Sequence, residues 1–311
     1  MSINKKHNIA GDIEAVVTSF NQGTMILEAV YSLLDQTVLP AKIYIVDDGS
    51  TDKDSANILN ALEKEPETAV PLAVIRQQNR GVSAARNTGI RATRAPMVLV
   101  LDGDDKLKET YIEEVGGLLR DTPSMAAASS WMHTFGVLEA EVRPSGGDII
   151  PFLSRNCCPA THILRRNLWE QCGGYDESMR AGFEDWDFFL SMLETSHGTS
   201  IGIVDKPLID YRTAPASSNV RSMSRRLDIM RFLIEKHQKS YQEYIADAVL
   251  GVEAVSMSRL YGWENEILHS LEQKQHVSRE AEEFMENPSY GDGGMAAAVR
   301  LANCRENFRI L

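Results

Sequence analysis

Carboxylate side chains are concentrated in three short segments of the chain. These segments are residues 102–105 (DGDD), residues 47–50 (DDGS) and residues 184–187 (EDWD). Carboxylates that crowd together repel one another and favour a bound cation, and Mg²⁺ and Mn²⁺ prefer oxygen ligands. A carboxylate in apolar surroundings can also serve as a general base. Metal binding and proton transfer are therefore the chemistry to which these residues point.

Each segment also has an interpretation without chemistry. Residues 102–105 could form a solvated turn with a helix cap, and residues 47–50 could form a turn before a helix N-cap. Acidic residues in a first helical turn, such as Glu184 and Asp185, are favoured by the helix dipole alone. The glycine and aromatic residues of 182–188 (GFEDWDF) nevertheless form an apolar frame around these two acids. That frame favours the general-base interpretation.

The elements that must position these residues follow from the apolar pattern. Strands are predicted at 13–19, 42–46, 72–76 and 97–101, and helices at 24–36, 54–64 and 81–93. Such alternation predicts crossover units and a parallel sheet, in which ligands bind beyond the carboxyl ends of the strands. The first two acidic segments directly follow two of these strands, so their position favours a ligand role.

The second half of the chain shows a different organisation. Residues 125–142 have a β-like pattern, residues 184–195 are predicted to form a helix, and strands are predicted at 200–205 and 208–212. Beyond about Ser222 the sequence is almost entirely helix-forming. We therefore expect two parts, residues 1–215 and a helical region of residues 216–311.

Composition excludes several classes of protein. A formal net charge of −12 argues against a general nucleic-acid binder, which needs a basic surface. The N-terminus has no apolar signal core, and no apolar run approaches the roughly 20 residues of a membrane span. The four cysteines form no CxxC pair, so a zinc site is not predicted. These features predict a cytoplasmic protein, with peripheral association at the inner face of the membrane left open.

Six motifs occur in one order along roughly residues 12–218. They are residues 17–21 (VTSFN), 46–52 (VDDGSTD), 79–89 (NRGVSAARNTG), 101–105 (LDGDD), 173–177 (GGYDE) and 184–187 (EDWD). As a set they resemble family 2 of the glycosyltransferases. The resemblance implies an α/β protein with the GT-A fold, a Rossmann-like, mostly parallel central sheet flanked by helices. The helical C-terminal extension lies outside the resemblance.

The resemblance implies a nucleotide site at the first strand ends. Its members are Thr18, Phe20, Asp47, Asp48, Arg86 and Asp102. Thr18 and Asp48 would contact the uridine or another nucleoside, with Asp47 nearby. Phe20 replaces a tyrosine of some relatives, which changes the stacking surface offered to the base.

The resemblance also implies a Mn²⁺ or Mg²⁺ cofactor and a catalytic pair. Asp102 and Asp104 would form the DxD element that holds the ribose and the metal on the diphosphate, and Asp105 would share metal binding. Asp185 would deprotonate the acceptor hydroxyl, while Glu184 would help to bind the acceptor. Many members carry a histidine at the position of Ala214, so the resemblance supplies no third protein ligand there.

The implied function is an inverting transfer of a sugar from a nucleoside-diphosphate sugar to an acceptor hydroxyl. The donor expected first is a UDP-sugar. The acceptor would be a glycan, a lipid-linked molecule or a protein, as in polysaccharide biosynthesis. Two alternatives remain, a non-catalytic nucleotide-sugar-binding protein of the same fold and a sugar nucleotidyltransferase. The retained Asp185 disfavours the first, and the lack of a basic residue in 19–23 disfavours the second. For residues 216–311 we expect a role in acceptor binding, as a lid or in homo-oligomerisation.

Overall fold

The protein consists of two compact units, Met1–Ile245 and Ala246–Leu311. A computed structural model describes residues 8–64, 69–215, 218–273, 279–289 and 292–309. The boundary predicted from the sequence falls at Ala216, which lies outside the described residues. The unit that contains the sheet continues well beyond that position, to Ile245.

All strands of the described residues lie in the first unit. They are β1 (Asn8–Ala10), β2 (Ile13–Ser19), β3 (Val38–Pro40), β4 (Ile43–Asp47), β5 (Leu72–Arg76), β6 (Met97–Asp102), β7 (Lys106–Leu107), β8 (Met125–Gly136), β9 (Ala140–Val142), β10 (His162–Arg165) and β11 (Ser200–Thr213). The helices before residue 245 are α1 (Met25–Leu34), α2 (Lys53–Lys64), α3 (Val82–Ala92), α4 (Tyr111–Asp121), α5 (Ile149–Phe152), α6 (Arg166–Gln171), α7 (Glu184–Leu193), α8 (Ser218–Met223), α9 (Arg226–Lys236) and α10 (Gln238–Glu243). They are followed by α11 (Ile245–Glu272), α12 (Arg279–Glu286) and α13 (Gly294–Arg309).

Within the described residues, nine strands form one sheet in the order β5-β4-β2-β6-β10-β8-β11-β7, with β9 beside β8. The strands β5, β4, β2 and β6 run parallel to one another. Strand β10 is antiparallel to both β6 and β8, whereas β11 is again parallel to β8. The α/β class and the parallel arrangement predicted for the first part of the chain are therefore confirmed, and the other half of the sheet is mixed.

Burial on both faces explains why the first strands are continuous apolar runs. Every residue of β2 and β4 is buried. Helix α1 turns Ile26, Val30 and Leu33 toward the core on a single face, as the sequence pattern predicted. A parallel sheet needs such cover because its crossover helices pack on its two faces. The predicted strands 13–19 and 72–76 coincide with β2 and β5.

The two strands predicted at 200–205 and 208–212 were a wrong division of one element. Strand β11 runs without interruption beside β8, with register shifts between Val204 and Pro207 and between Pro207 and Ile209. Proline lacks a donor for the ladder and is tolerated at such irregular positions. The polar stretch around Pro207, which resembles a turn in the sequence, thus forms an irregular part of one strand.

Charged side chains tie α9 and the residue after it to α7. The Lys236 ammonium lies 2.7 Å from Asp176 and 2.8 Å from Asp187. The ring of His237 lies between Asp187, at 3.0 Å from Nε2, and Glu194, at 2.9 Å from Nδ1. These contacts explain why the first unit extends through the helices that follow β11.

The ring of His237 is doubly protonated in this setting. Both of its nitrogens face carboxylate oxygens, which only accept hydrogen bonds, so both nitrogens must donate. Burial alone lowers the pKa of His237, but the hydrogen bonds to Asp187 and Glu194 outweigh it and hold the pKa above its ordinary value. The imidazolium therefore contributes to the attachment of these helices.

The second unit has a small core of its own. Ile267, Ala281 and Leu301 are buried together, and the rings of Trp263 and Phe284 meet edge to face at 4.3 Å. None of the described helices combines the length and the apolar character that crossing a membrane requires. The roles expected for residues 216–311 in acceptor binding, as a lid or in oligomerisation stay predictions.

We expect His237→Ala to lower the free energy of unfolding by about 3 kcal/mol at about pH 6, because it removes one partner of a buried ionic network. A histidine whose pKa is raised by folding makes its full contribution to the free energy of unfolding below the unfolded pKa of about 6.5. This contribution is lost as the pH rises through the folded pKa. The difference between parent and variant should therefore shrink toward about pH 9. Urea unfolding across this range measures it.

The matched control is Lys239→Ala, an exposed position of α10. It should leave the unfolding free energy close to that of the parent at each pH. Equal stability of His237→Ala and the parent at about pH 6 would contradict the role given to the imidazolium.

Candidate active site

The parallel register brings the predicted nucleotide-site residues to one edge of the sheet. Thr18 of β2 pairs with Asp102 of β6 on one side, and Ser19 pairs with Asp47 of β4 on the other. The Thr18 hydroxyl donates a hydrogen bond of 3.0 Å to Asp102. The carboxyl ends of β4, β2 and β6 therefore bring together the first two acidic segments, as the strand pattern predicted.

Arg86 of α3 joins two acidic segments that are distant in the sequence. Its side chain is 1% exposed, and its Nη2 donates to both carboxylate oxygens of Asp102 at 2.9 Å. Its Nη1 donates to Glu184 at 3.2 Å. The guanidinium also faces the ring of Tyr175, 5.4 Å from the centroid. Because both carboxylates neutralise this buried charge, Arg86 holds the end of β6 and the start of α7 in one site.

Asp48 has a role that sequence reasoning missed. One carboxylate oxygen accepts hydrogen bonds from the Gln77 side chain at 2.7 Å and from the Arg80 backbone at 2.8 Å. The other oxygen accepts from the backbone of Gly81 at 2.8 Å, directly before α3. Asp48 thus shapes the turn that starts α3 and thereby positions Arg86. Its contact with the nucleoside stays a prediction.

The loops after β2 and β4 form the rim of the predicted nucleotide site. Asn21 has a positive φ of 52° and accepts hydrogen bonds from the backbone of Thr51 at 2.7 Å and of Asp52 at 3.3 Å. These bonds join the two loops, and the preceding Phe20 ring is 46% exposed. Asp47 accepts from the backbone of Ser50 at 2.9 Å and so fixes the second loop from within. The open Phe20 ring remains the candidate stacking surface for a base.

Asn87 fixes the GGYDE motif on α3. Its carbonyl oxygen accepts from the backbone of Tyr175 at 2.9 Å and from the indole of Trp169 at 3.1 Å, and its amide donates to the Tyr175 carbonyl at 2.8 Å. The Tyr175 ring in turn stacks on Phe188 of α7, with 3.9 Å between centroids. Two neighbouring residues of α3 therefore have different roles. Arg86 binds carboxylates, and Asn87 fixes Tyr175, which packs against α7.

Helix α7 begins at a strained residue. Phe183 has a φ of 64°, a left-handed conformation that costs a bulky residue on the order of 1 kcal/mol or more. The guanidinium of Arg226 lies 5.3 Å from the centroid of the Phe183 ring and 5.7 Å from that of Trp186. The indole of Trp186 donates to the carbonyl of Phe152 at 2.6 Å. The aromatic frame predicted around the third acidic segment thus holds the first turn of α7.

Asp185 lies in that first turn with both oxygens hydrogen-bonded. Its Oδ1 accepts from the Trp186 backbone and its Oδ2 from the Asn156 side chain, each at 2.9 Å. Burial and then the charge of Glu184 raise the pKa of Asp185 to about 6, although Arg86 opposes the shift. A base with a pKa near the operating pH is efficient, so this carboxylate suits proton abstraction.

The three acids of residues 102–105 differ in their partners. Asp102 is paired with Arg86, whereas Asp105 is 3% exposed and accepts from the backbone of Arg212 at 2.8 Å. Asp104 receives one long hydrogen bond of 3.3 Å, from Gln22. Burial and the charge of Asp102 raise the pKa of Asp104. Of the three carboxylates, Asp104 therefore receives the longest hydrogen bond from the protein.

This arrangement fits a divalent cation only in part. Among the described residues, no three His, Cys, Asp or Glu side chains converge on one point that could hold a metal. Mg²⁺ is commonly bound by one or two carboxylates and completed by substrate phosphates and water. Asp104, with Asp102 beside it, fits such a site, and ligation by Asp105 stays a prediction. Gly103 lets the backbone of this segment approach β2 closely, because a Cβ there would lie 2.5 Å from the Thr18 carbonyl oxygen.

Comparison with known families gives a match over residues 14–182, to the model described as glycosyl transferase family 2. The glycosyltransferase GlyG of Streptococcus pneumoniae is 36% identical over 102 residues, which cover 32% of this chain and 33% of GlyG. The succinoglycan biosynthesis protein ExoU of Rhizobium meliloti is 26% identical over 71% of this chain and 67% of its own. Chondroitin synthase of Escherichia coli is 26% identical over 58% of this chain and 26% of its own length. The chain thus spans about a third of GlyG and about two thirds of ExoU.

Solved structures share the fold. The structure of residues 1–349 of S. aureus TarS in complex with UDP-GlcNAc has a TM-score of 0.58 at 16% identity, covering 96% of this chain and 92% of that one. The complex of the same protein with UDP has a TM-score of 0.55 at 17% identity. At this level of identity the likeness establishes the architecture, which is that of the GT-A fold.

We expect Arg86→Lys to lower the free energy of unfolding by about 2 kcal/mol, because hydrogen bonds to charged groups contribute about 1.5–3 kcal/mol each. An ammonium keeps the charge but cannot match the planar fork that serves Asp102 and Glu184 together. Denaturant unfolding of the purified protein measures the change.

Arg94→Lys is the matched control, since Arg94 is exposed just beyond α3. Its stability should equal that of the parent. If Arg86→Lys were equally stable, the shared guanidinium would not be what holds the two acidic segments together.

Proposed function

We propose the reaction of this chain from the family to which it belongs, family 2 of the glycosyltransferases, whose model matches residues 14–182 and thus more than half of the chain. The chain is a glycosyltransferase with the GT-A fold. Its proposed reaction is the inverting, divalent-metal-dependent transfer of a sugar from a UDP-sugar to an acceptor hydroxyl. The observation that carries this proposal is Arg86, which joins the Asp102 end of the donor site to the first turn of α7 with the candidate base.

The donor class is supported by the related fold and by the local geometry. TarS has been solved with UDP and with UDP-GlcNAc. In this chain the open Phe20 ring suits stacking on a base, and Thr18 and Asp102 stand at the edge where a ribose would lie. The names of ExoU and chondroitin synthase support a glycan as the acceptor.

Asp104 and Asp102 would hold the cation together with the donor diphosphate. When bound, a divalent cation neutralises the charge that develops on a departing diphosphate. Arg86 keeps the Asp102 carboxylate in a fixed orientation. The protein thus prepares one side of the site for leaving-group departure before the donor arrives.

Asp185 completes the reaction on the acceptor side. Its carboxylate takes the proton of the acceptor hydroxyl while that oxygen attacks the anomeric carbon and the bond to the diphosphate breaks. A single displacement from the opposite face inverts the anomeric centre and needs no covalent enzyme intermediate. Glu184, held by Arg86, stands beside the base and is proposed to bind the acceptor.

We expect UDP to bind at least tenfold more weakly when a chelator removes Mn²⁺. The physical reason is that Asp102 and Asp104 would otherwise face the diphosphate as like charges. Isothermal titration with UDP in Mn²⁺ and in chelator measures the difference. Equal affinity in the two buffers would exclude the proposed DxD assignment.

Asp104→Asn tests the same site in the protein, and Asp121→Asn, at the exposed end of α4, is its control. The first variant should lose most of the gain in UDP affinity that Mn²⁺ provides. The second should keep that gain in full.

We expect Asp185→Asn to keep donor binding and to lose sugar transfer by roughly 10²–10⁴-fold, the usual contribution of a general base. The substitution is nearly isosteric, so folding should be preserved. Release of UDP from UDP-sugars in the presence of Mn²⁺, with water as the acceptor of the sugar, measures the rate, and thermal shift with UDP measures donor binding.

Asp205→Asn, an exposed carboxylate of β11, is the control and should transfer at the parent rate. A parent rate for Asp185→Asn would show that another group is the base. A parent protein that binds the donor but never releases UDP would instead favour a non-catalytic binding protein.

A further inference from the structure

Asn156 lies outside every motif of the sequence and yet contacts the proposed base. It stands in the loop between α5 and β10, and its side chain is exposed. Its Nδ2 donates a hydrogen bond of 2.9 Å to Oδ2 of Asp185. The other oxygen of Asp185 accepts from the Trp186 backbone. Asn156 is thus the side chain that approaches the oxygen not held by α7 itself.

The orientation of the Asn156 amide is determined by a second contact. Its carbonyl oxygen accepts a hydrogen bond of 3.2 Å from the backbone N–H of Cys158. The amide NH₂ must therefore be the group that faces Asp185. An NH₂ group only donates, and an ionised carboxylate only accepts. A proton on Oδ2 of Asp185 would meet this donor head-on, so the contact favours the ionised form of the carboxylate.

The chain is anchored a few residues before Asn156. The indole of Trp186 donates to the Phe152 carbonyl at 2.6 Å, and the hydroxyl of Tyr241 donates to the Leu153 carbonyl at 3.0 Å. Both bonds are buried. The residue after the base and the loop before Asn156 are therefore tied together, so the separation of Asn156 and Asp185 is set by the fold.

We propose that Asn156 is a positioning residue for the general base, which it keeps ionised and whose Oδ2 it holds in a fixed orientation for the acceptor hydroxyl. This inference rests on the proposed function of Asp185.

Other groups around Asp185 also influence its ionisation. The charge of Glu184 opposes its ionisation, and the guanidinium of Arg86 favours it. Cys158, Tyr175 and Tyr211 also interact electrostatically with Asp185. Burial raises the pKa of each of these three groups, so they remain neutral near neutral pH. Asn156 carries no charge and favours the ionised form of Asp185 through a hydrogen bond alone.

The test compares Asn156→Ala and Asn156→Asp with the parent across the acidic limb of the pH–rate profile. Loss of one hydrogen bond to a carboxylate should raise the apparent pKa of the base by about one unit. For Asn156→Ala, kcat/KM should then fall about tenfold at about pH 5 and recover nearly fully at about pH 8. Asn156→Asp should raise the apparent pKa further, since two carboxylates this close cannot both ionise easily.

UDP release from a panel of UDP-sugars that includes UDP-GlcNAc, with Mn²⁺ present, supplies the rates. Ser154→Ala is the matched control, because Ser154 lies in the same loop and bonds only to the Pro151 carbonyl within the described contacts. It should leave the acidic limb unchanged. UDP affinity should be the same for all four proteins.

The outcomes distinguish the role of Asn156 from the proposed role of Asp185 as the base. A uniform loss of rate at every pH for Asn156→Ala, without a shift of the limb, would reduce Asn156 to a structural residue and overturn the inference. Full activity of Asp185→Asn would instead overturn the assignment of the base. An upward shift in the order parent, alanine, aspartate supports both.

Discussion

The buried guanidinium of Arg86 is the interaction on which the rest of the site depends. A charge with 1% exposure is costly unless carboxylates compensate it, and here two carboxylates share the task. One belongs to the end of a central strand and the other to the first turn of a helix far along the chain. Electrostatic compensation therefore holds the end of β6 and the first turn of α7 at a fixed distance from each other.

The surrounding contacts serve to keep that guanidinium in place. Asp48 shapes the turn from which α3 starts, and Asn87 holds the GGYDE motif against the same helix. The chain enters α7 through Phe183, whose backbone is left-handed. Asp48, which was predicted from the sequence to contact a nucleoside, thus also supports the start of α3. The two roles are compatible because helices begin close to the carboxyl ends of the strands, where ligands bind in such sheets.

Much of this arrangement could be predicted from the sequence, because it depends on local periodicity. The apolar runs predicted β2 and β5 to the residue, and the carboxyl-end rule placed Asp102 and Asp47 at one edge. The hold of Asp48 on the turn before α3 and the contact of Asn156 with Asp185 could not be predicted. Both depend on which loops meet after folding, and neither residue type carries a periodic signal.

The contacts of Arg86 also have a consequence for the order in which the protein assembles. Its bond to Asp102 spans 16 residues, whereas its bond to Glu184 spans 98. Contacts between distant residues form late because loop closure must precede them. During synthesis, the parallel half of the sheet emerges from the ribosome first and Arg86 has a single carboxylate partner. The pairing of Arg86 with its second carboxylate is therefore completed only when the first turn of α7 has been made and Glu184 can reach the guanidinium.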